Sequence, residues 1–144
     1  MKSKRVIDNT QDIMDSRDVI EYMEEMESER EGFMDAIEEA EGLDEKVQAK
    51  EALKEWDEDN GAEYGALKAF CEEGEGATSD WIHGATLILD GHFKDYAQQF
   101  AEDIGAIDRA ASWPNTCIDW DEAASELQMD YTSIDFDGET YWVR

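Results

Sequence analysis

Apolar positions in the first third of the chain recur every three to four residues. Val19, Met23, Met26, Phe33, Ile37 and Ala40 form a seam in which Arg30 is the one polar interruption, a spacing that predicts an amphipathic helix of heptad character. The helix starts after Asp15-Ser16, either of which can cap its free N–H groups, and Asp18 puts negative charge in the first turn, where the helix dipole favours it. Gly42 ends or bends this helix. Leu43 to Trp56 then offers Val47, Leu53 and Trp56 for one face, so a helical hairpin is expected. Asp59-Asn60-Gly61 reads as a turn, and Tyr64, Leu67, Ala69, Phe70 and Cys71 read as a third helix ending near Glu73. Residues 1–14 show no sustained periodicity and are expected to form a flexible arm.

The run Gly74-Glu75-Gly76-Ala77-Thr78-Ser79 has the composition of a linker and predicts a module boundary. Beyond it, Ala85 to Leu89 reads as one buried strand, with a helix segment as the alternative. Asp90 can cap a helix whose face is lined by Phe93, Tyr96, Ala97, Phe100, Ala101 and Ile104, with Gly105 as its stop. After Trp113-Pro114, Asp119 caps a helix carrying Trp120, Ala123, Ala124 and Leu127. The chain closes on Tyr131 to Phe136, Asp137-Gly138 and Glu139 to Val143, the signature of a tight β-hairpin whose register sets Ile134 opposite Tyr141 and Thr132 opposite Val143. The expected fold class is α+β: a flexible arm (1–14), an acidic helical module (15–74) comprising a helical hairpin plus a third helix, and a small α+β module (75–144) ending in the β-hairpin.

Charge changes this picture most. Of 144 residues, 39 are Asp or Glu and 12 are Lys or Arg, giving a formal net charge of -27. Direct binding to nucleic acid is disfavoured, because phosphates are held by clustered Lys and Arg, and outside Lys2, Lys4 and Arg5 no such cluster stands out. Anionic membrane surfaces are disfavoured for the same reason, and no apolar run reaches the roughly 18–20 residues of a transmembrane helix. The N-terminus has no apolar signal core. A soluble, cytoplasmic protein is therefore expected. Cys71 and Cys117 are isolated, which fits free thiols better than a disulfide or a zinc site.

The run Asp95-Tyr96-Ala97-Gln98-Gln99-Phe100-Ala101-Glu102-Asp103-Ile104-Gly105, then Ile118-Asp119-Trp120, an Ala- and Leu-bearing helix and the terminal hairpin, resembles the C-terminal part of the ArdA antirestriction family over residues 80–144. Residues 1–75 do not resemble that family's other parts. ArdA-like proteins are elongated acidic DNA mimics of phages and mobile elements that dimerise and occupy the DNA-binding groove of restriction-modification enzymes. The resemblance implies an inhibitor of host defence acting in the host cytoplasm, possessing no catalytic residues or cofactor, and able to form a homodimer.

The distribution of acids fits that expectation. Residues 1–74 carry 24 acids against 9 bases and residues 75–144 carry 15 against 3, so the excess is not a tail. Duplex DNA bears one charge per about 1.7 Å of axis, so a net 27 charges correspond to roughly 46 Å, or about 13–14 base pairs. On the first helix Glu21, Glu24, Glu25, Glu31, Asp35, Glu38 and Glu39 recur on the side away from the seam, one about every 5 Å. Like charges at i, i+3 and i+4 cost a few tenths of a kcal/mol per pair, so such a stripe invites a functional reading. Further candidate phosphate mimics are Asp57, Glu58 and Asp59, then Asp95, Glu102 and Asp103, and finally Asp119, Asp121, Glu122 and Glu126.

Competing readings are an ordinary solvated face, halophilic adaptation, an acidic interaction or chaperone module for a basic protein, and a DNA mimic aimed at another system such as CRISPR. Asp57-Glu58-Asp59-Asn60-Gly61 fails as an EF-hand, since Ala62 and Lys68 stand where Gly and Glu are needed. His83 and His92 lie in no catalytic motif, so neither an enzyme nor a metal site is expected.

Overall fold

The computed structural model describes residues 6–107 and 113–144. Strand β1 (Ile13–Asp15) leads into helix α1 (Ser16–Glu39), which turns at Gly42 into helix α2 (Leu43–Ala77). A single-turn helix α3 (Trp81–Gly84) and strand β2 (Thr86–Leu89) follow. Helix α4 (Phe93–Asp103) and helix α5 (Trp120–Gln128) precede strands β3 (Thr132–Phe136) and β4 (Glu139–Val143). The four strands form one antiparallel sheet in the order β1-β2-β4-β3, so the class is α+β.

Alternation along the strands creates three layers. Leu87, Tyr141 and Val143 point to one side, where they join Val19, Leu67, Phe70 and Trp81 in the main core. Ile88 and Trp142 point to the other side, where Phe93, Ala97 and Ala124 of α4 and α5 complete a second cluster. The base of the helical hairpin covers one face of the sheet and the α4–α5 pair covers the other.

The hairpin is gripped at its base through three residues, Phe70, Gly74 and Ser16. Phe70 stacks on Phe136 with centroids 4.4 Å apart and meets Trp81 edge-on. Gly74 lies against the Trp81 ring, which a Cβ at that position would overlap. Ser16, fully buried, donates its hydroxyl to the Trp81 carbonyl (2.6 Å) and accepts from the Ala85 amide (2.7 Å), while its own amide reaches the Ala85 carbonyl.

Several expectations are met and others corrected. Asp15 caps α1 by accepting from the Arg17 amide, Asp119 caps α5, and the terminal hairpin adopts the expected register, with Asp137 and Gly138 both at positive φ. The arm is corrected: residues 6–14 are ordered by Ile7 and Met14, which enter the core, by pairing of β1 with β2, and by the Tyr141 hydroxyl donating to the Gln11 carbonyl at 2.6 Å. Two buried side chains in nine residues are too few to give a periodic signal. Residues 1–5 of that arm lie outside the described residues.

The Asp59-Asn60-Gly61 turn and the third helix are corrected together, because α2 runs unbroken from Leu43 to Ala77. Trp56, Leu67, Phe70, Cys71 and Gly74 supply one continuous buried stripe, and burying it outweighs the cost of about 1 kcal/mol for each interior glycine. The stripe continues through Gly74, so the linker and the module boundary are absent and residues from both sides of them share the main core. Val47 is 48% exposed, whereas Trp56 is buried, since nine residues at about 100° each place them on opposite sides of the helix. Asp90 does not cap α4; it accepts from the Trp142 indole at 2.9 Å, and His92 stands at the cap position. On the outer strand, the Asp135 amide donates to the Glu73 carboxylate at 2.9 Å.

Two glycine substitutions should separate close packing from helix propensity. Gly74→Ala is expected to lower stability by about 1–3 kcal/mol through collision with Trp81, whereas Gly65→Ala, whose Cβ meets nothing within 4 Å, should raise it by about 0.5–1 kcal/mol. Urea denaturation of both variants checks the contrast.

Alkaline pH is the second test. Burial and the hydrogen bond shared with the Tyr96 hydroxyl push the Tyr131 hydroxyl up from 10.0 to about 12, and burial pushes Tyr141 up as well. A raised folded-state value means that the stability contributed is complete below pH 10 and is lost as pH climbs toward 12. Stability should therefore fall across that interval, as followed by circular dichroism.

Candidate functional site

A chain with so many carboxylates must leave nearly all of them in water, and the core is built accordingly: the only polar residue buried among the described residues is Ser16. All seven candidates on α1, from Glu21 to Glu39, are exposed. They span 19 residues, or about 27 Å of helix. Glu58 and Asp59 are exposed on α2, as are Asp95 and Asp103 on α4 and Asp121, Glu122 and Glu126 on α5, while Glu102 is half-buried.

Some candidates have structural duties. Asp57 is half-buried and takes a two-pronged pair from Arg30, with Nε to Oδ1 at 2.9 Å and Nη2 to Oδ2 at 3.3 Å. That pair explains the polar interruption of the α1 seam: Arg30 reaches across to α2 rather than out to solvent. Asp119 accepts from the Asp121 and Glu122 amides as the α5 cap. Asp121 meets Lys94 at 3.1 Å, and Asp103 accepts from Gln99. These four are held by groups within the chain.

Contacts across the hairpin divide it into two sides. Tyr22 hydrogen-bonds Glu63 on one, while Tyr64 donates to Glu27 and Arg30 holds Asp57 on the other. Projecting the helices at about 100° per residue assigns Glu21, Glu25, Glu29, Glu55, Asp59 and Glu63 to the Tyr22 side, and among the described helix residues this projection brings no Lys or Arg there. The lysines of α2, namely Lys46, Lys50, Lys54 and Lys68, fall on the Arg30 side. Reading α2 as two short helices hides this division. Glu55 and Glu63 were missed for that reason, although the spacing of Glu55, Asp59 and Glu63 at i, i+4 and i+8 carries the signal; Glu29 was missed on α1, where it follows Glu21 and Glu25 at the same spacing.

Other chemistry is sparse among the described residues. No group of three or more His, Cys, Asp or Glu side chains is placed to hold a metal ion, and no helix is long and apolar enough to cross a membrane. His92 lies 3.8 Å from the Asp12 carboxylate and His83 is exposed on α3. Cys71 is buried, with its thiol pushed up to about 12 by burial and by Glu75 and Glu24, and Cys117 is exposed. An open groove of about 650 Å³ runs between Thr78, Tyr96, Phe100, Tyr131 and Arg144.

The fold and site together define a class: an α+β protein whose helical hairpin carries one side on which, among the described helix residues, the charged groups are all carboxylates. Compared with protein-family models, curated proteins and solved structures, the chain matches none of them.

The Arg30–Asp57 pair should matter to the hairpin and not to its acid surface. Asp57→Asn is expected to speed amide hydrogen exchange through residues 30–57, whereas Asp59→Asn should leave it unchanged.

Proposed function

We propose that this protein is an acidic DNA mimic that inhibits a host defence enzyme of the restriction-modification type by occupying its basic DNA-binding groove. The observation that carries this reading is the carboxylate-only side of the hairpin. Helix α2 has 35 residues, which makes it about 52 Å long, close to the axial length of about 15 base pairs. Along it run Glu55, Asp59 and Glu63, flanked by Glu21, Glu25 and Glu29 of α1, and Asp121, Glu122 and Glu126 are exposed on α5 across the sheet. The resemblance of residues 80–144 to the ArdA family supports the same reading.

The mechanism is electrostatic substitution. A groove evolved for phosphates presents Lys and Arg whose counterions DNA displaces; carboxylates about 5 Å apart on a rigid helix displace them in the same way. The carboxylates are held at fixed spacing by helices already folded, so little ordering entropy is lost on binding. No bond is made or broken. Inhibition is stoichiometric, competitive with DNA and distributed over many weak contacts, so no single side chain is indispensable.

Titration of the protein into a type I restriction endonuclease with plasmid substrate tests the proposal. Inhibition should saturate near one binding equivalent and be relieved by excess DNA. Raising salt from 50 to 200 mM should weaken it by about 10³-fold. The triple variant Glu25→Lys, Glu55→Lys, Asp59→Lys should abolish inhibition with its circular dichroism intact, while each single neutralisation should change it less than about fivefold. Cleavage unaffected by a large excess of the protein, together with recovery of only basic histone-like proteins from a bacterial lysate, would overturn the reading.

A further inference from the structure

We propose that the groove between helix α4 and the turn joining α2 to α3 is a binding site for a small zwitterion that carries a planar ring, the class of the free aromatic amino acids. The inference goes beyond the proposed function and does not depend on it.

The groove opens where the layers of the fold meet. Tyr131 precedes β3 and Arg144 follows β4, so both stand at one end of the sheet. Helix α4 adds Tyr96 and Phe100, and the turn after α2 adds Thr78 and Asp80. The space is about 650 Å³, within the roughly 300–1,000 Å³ of small-molecule sites.

Its walls are set without a ligand. Tyr96 stacks on Phe100 with centroids 6.1 Å apart, Phe93 meets Tyr131 edge-on at 5.3 Å, and the Tyr96 and Tyr131 hydroxyls lie 3.4 Å apart. The three lining rings are half-buried, so they offer a planar ligand apolar area at little ordering cost. The two charged residues of the groove are tied together as well. The Thr78 hydroxyl accepts from the Asp80 amide at 3.2 Å and donates to the Arg144 carbonyl at 3.0 Å, so a single hydroxyl links their backbones.

Charge selects the ligand. Arg17 grips Asp15 and Arg30 grips Asp57, each with two prongs. Arg144 is the one described arginine that holds no carboxylate; the Tyr131 hydroxyl accepts from its guanidinium instead. A guanidinium has five N–H donors, so a bond to one phenol leaves a carboxylate-sized pair free. Asp80 makes no ion pair among the described residues either, with Arg144 or any other base. A free anion is repelled by the net charge of -27, and a free cation leaves Arg144 unmatched. A zwitterion has no net charge and gives each group its opposite: its carboxylate meets Arg144, its ammonium meets Asp80, and its ring lies on the tyrosine and phenylalanine wall.

Isothermal titration calorimetry of the full chain with L-phenylalanine, L-tyrosine and L-tryptophan tests the inference. At least one should bind with a Kd between about 10 μM and 1 mM. The analogues of the best binder that lack the ammonium or the carboxylate, 3-phenylpropionate and phenethylamine in the case of L-phenylalanine, should each bind at least about tenfold more weakly, and L-alanine should give no heat. Arg144→Gln should weaken the amino acid at least about tenfold and leave the amine analogue unchanged, while Asp80→Asn should weaken the amino acid and leave the acid analogue unchanged. Circular dichroism should be the same in both variants, because both residues are exposed. No heat from any of the three amino acids at about 5 mM, an acid or amine analogue that binds as tightly as its amino acid, or binding indifferent to both substitutions overturns the proposal.

Discussion

The molecule depends on how firmly the base of the hairpin is held. Its distal half has too narrow an apolar seam to sustain itself, and every helical turn there adds carboxylates that repel one another. Order is imposed from the sheet end, where Phe70 lies flat on Phe136, Gly74 admits the Trp81 ring and Ser16 ties the start of α1 to the segment entering β2. Farther out the helices are joined by single cross-links, Tyr22 to Glu63, Tyr64 to Glu27 and Arg30 to Asp57. The aromatic grip and the polar rungs are complementary: the first supplies most of the stabilisation, the second fixes the rotation of one helix about the other and hence which acids share a side.

Parts of this were legible in the sequence. The α1 cap at Asp15, the seam from Val19, the Asp137-Gly138 turn and the strand register all follow from local rules, because the residues that decide them are neighbours in the chain. The errors along α2 share one origin. Asn60, Gly61 and Gly74 have turn-like or linker-like preferences, yet each sits in a helix whose buried stripe is stabilised by partners beyond that helix, Trp81 just past its end and Phe136 on the far strand. The sequence around a glycine does not say whether its missing Cβ serves flexibility or a ring. Gly74 serves a ring.

The candidate site was legible in the same uneven way. That the acids lie outside follows from the cost of burying charge, and it needs no structure. Which acids act together does not follow, since sidedness on α2 exists only if that helix is continuous. Asp57 looked like its neighbours Glu58 and Asp59, and only the reach of Arg30 across the hairpin sets it apart. The same continuity sorts the lysines from the carboxylates, giving the hairpin two sides of different character: one lined by acids, the other of mixed charge.

The carboxylate of Glu73 on the amide of Asp135 has a consequence for how the protein behaves when crowded. The outer rim of the sheet would otherwise offer that N–H to any extended segment of a neighbouring molecule, the first step of strand-by-strand growth into fibrils. Occupied by an anionic group from the adjoining helix, this rung cannot seed such growth. At the opposite rim β1 is only three residues long, so the template there is short as well.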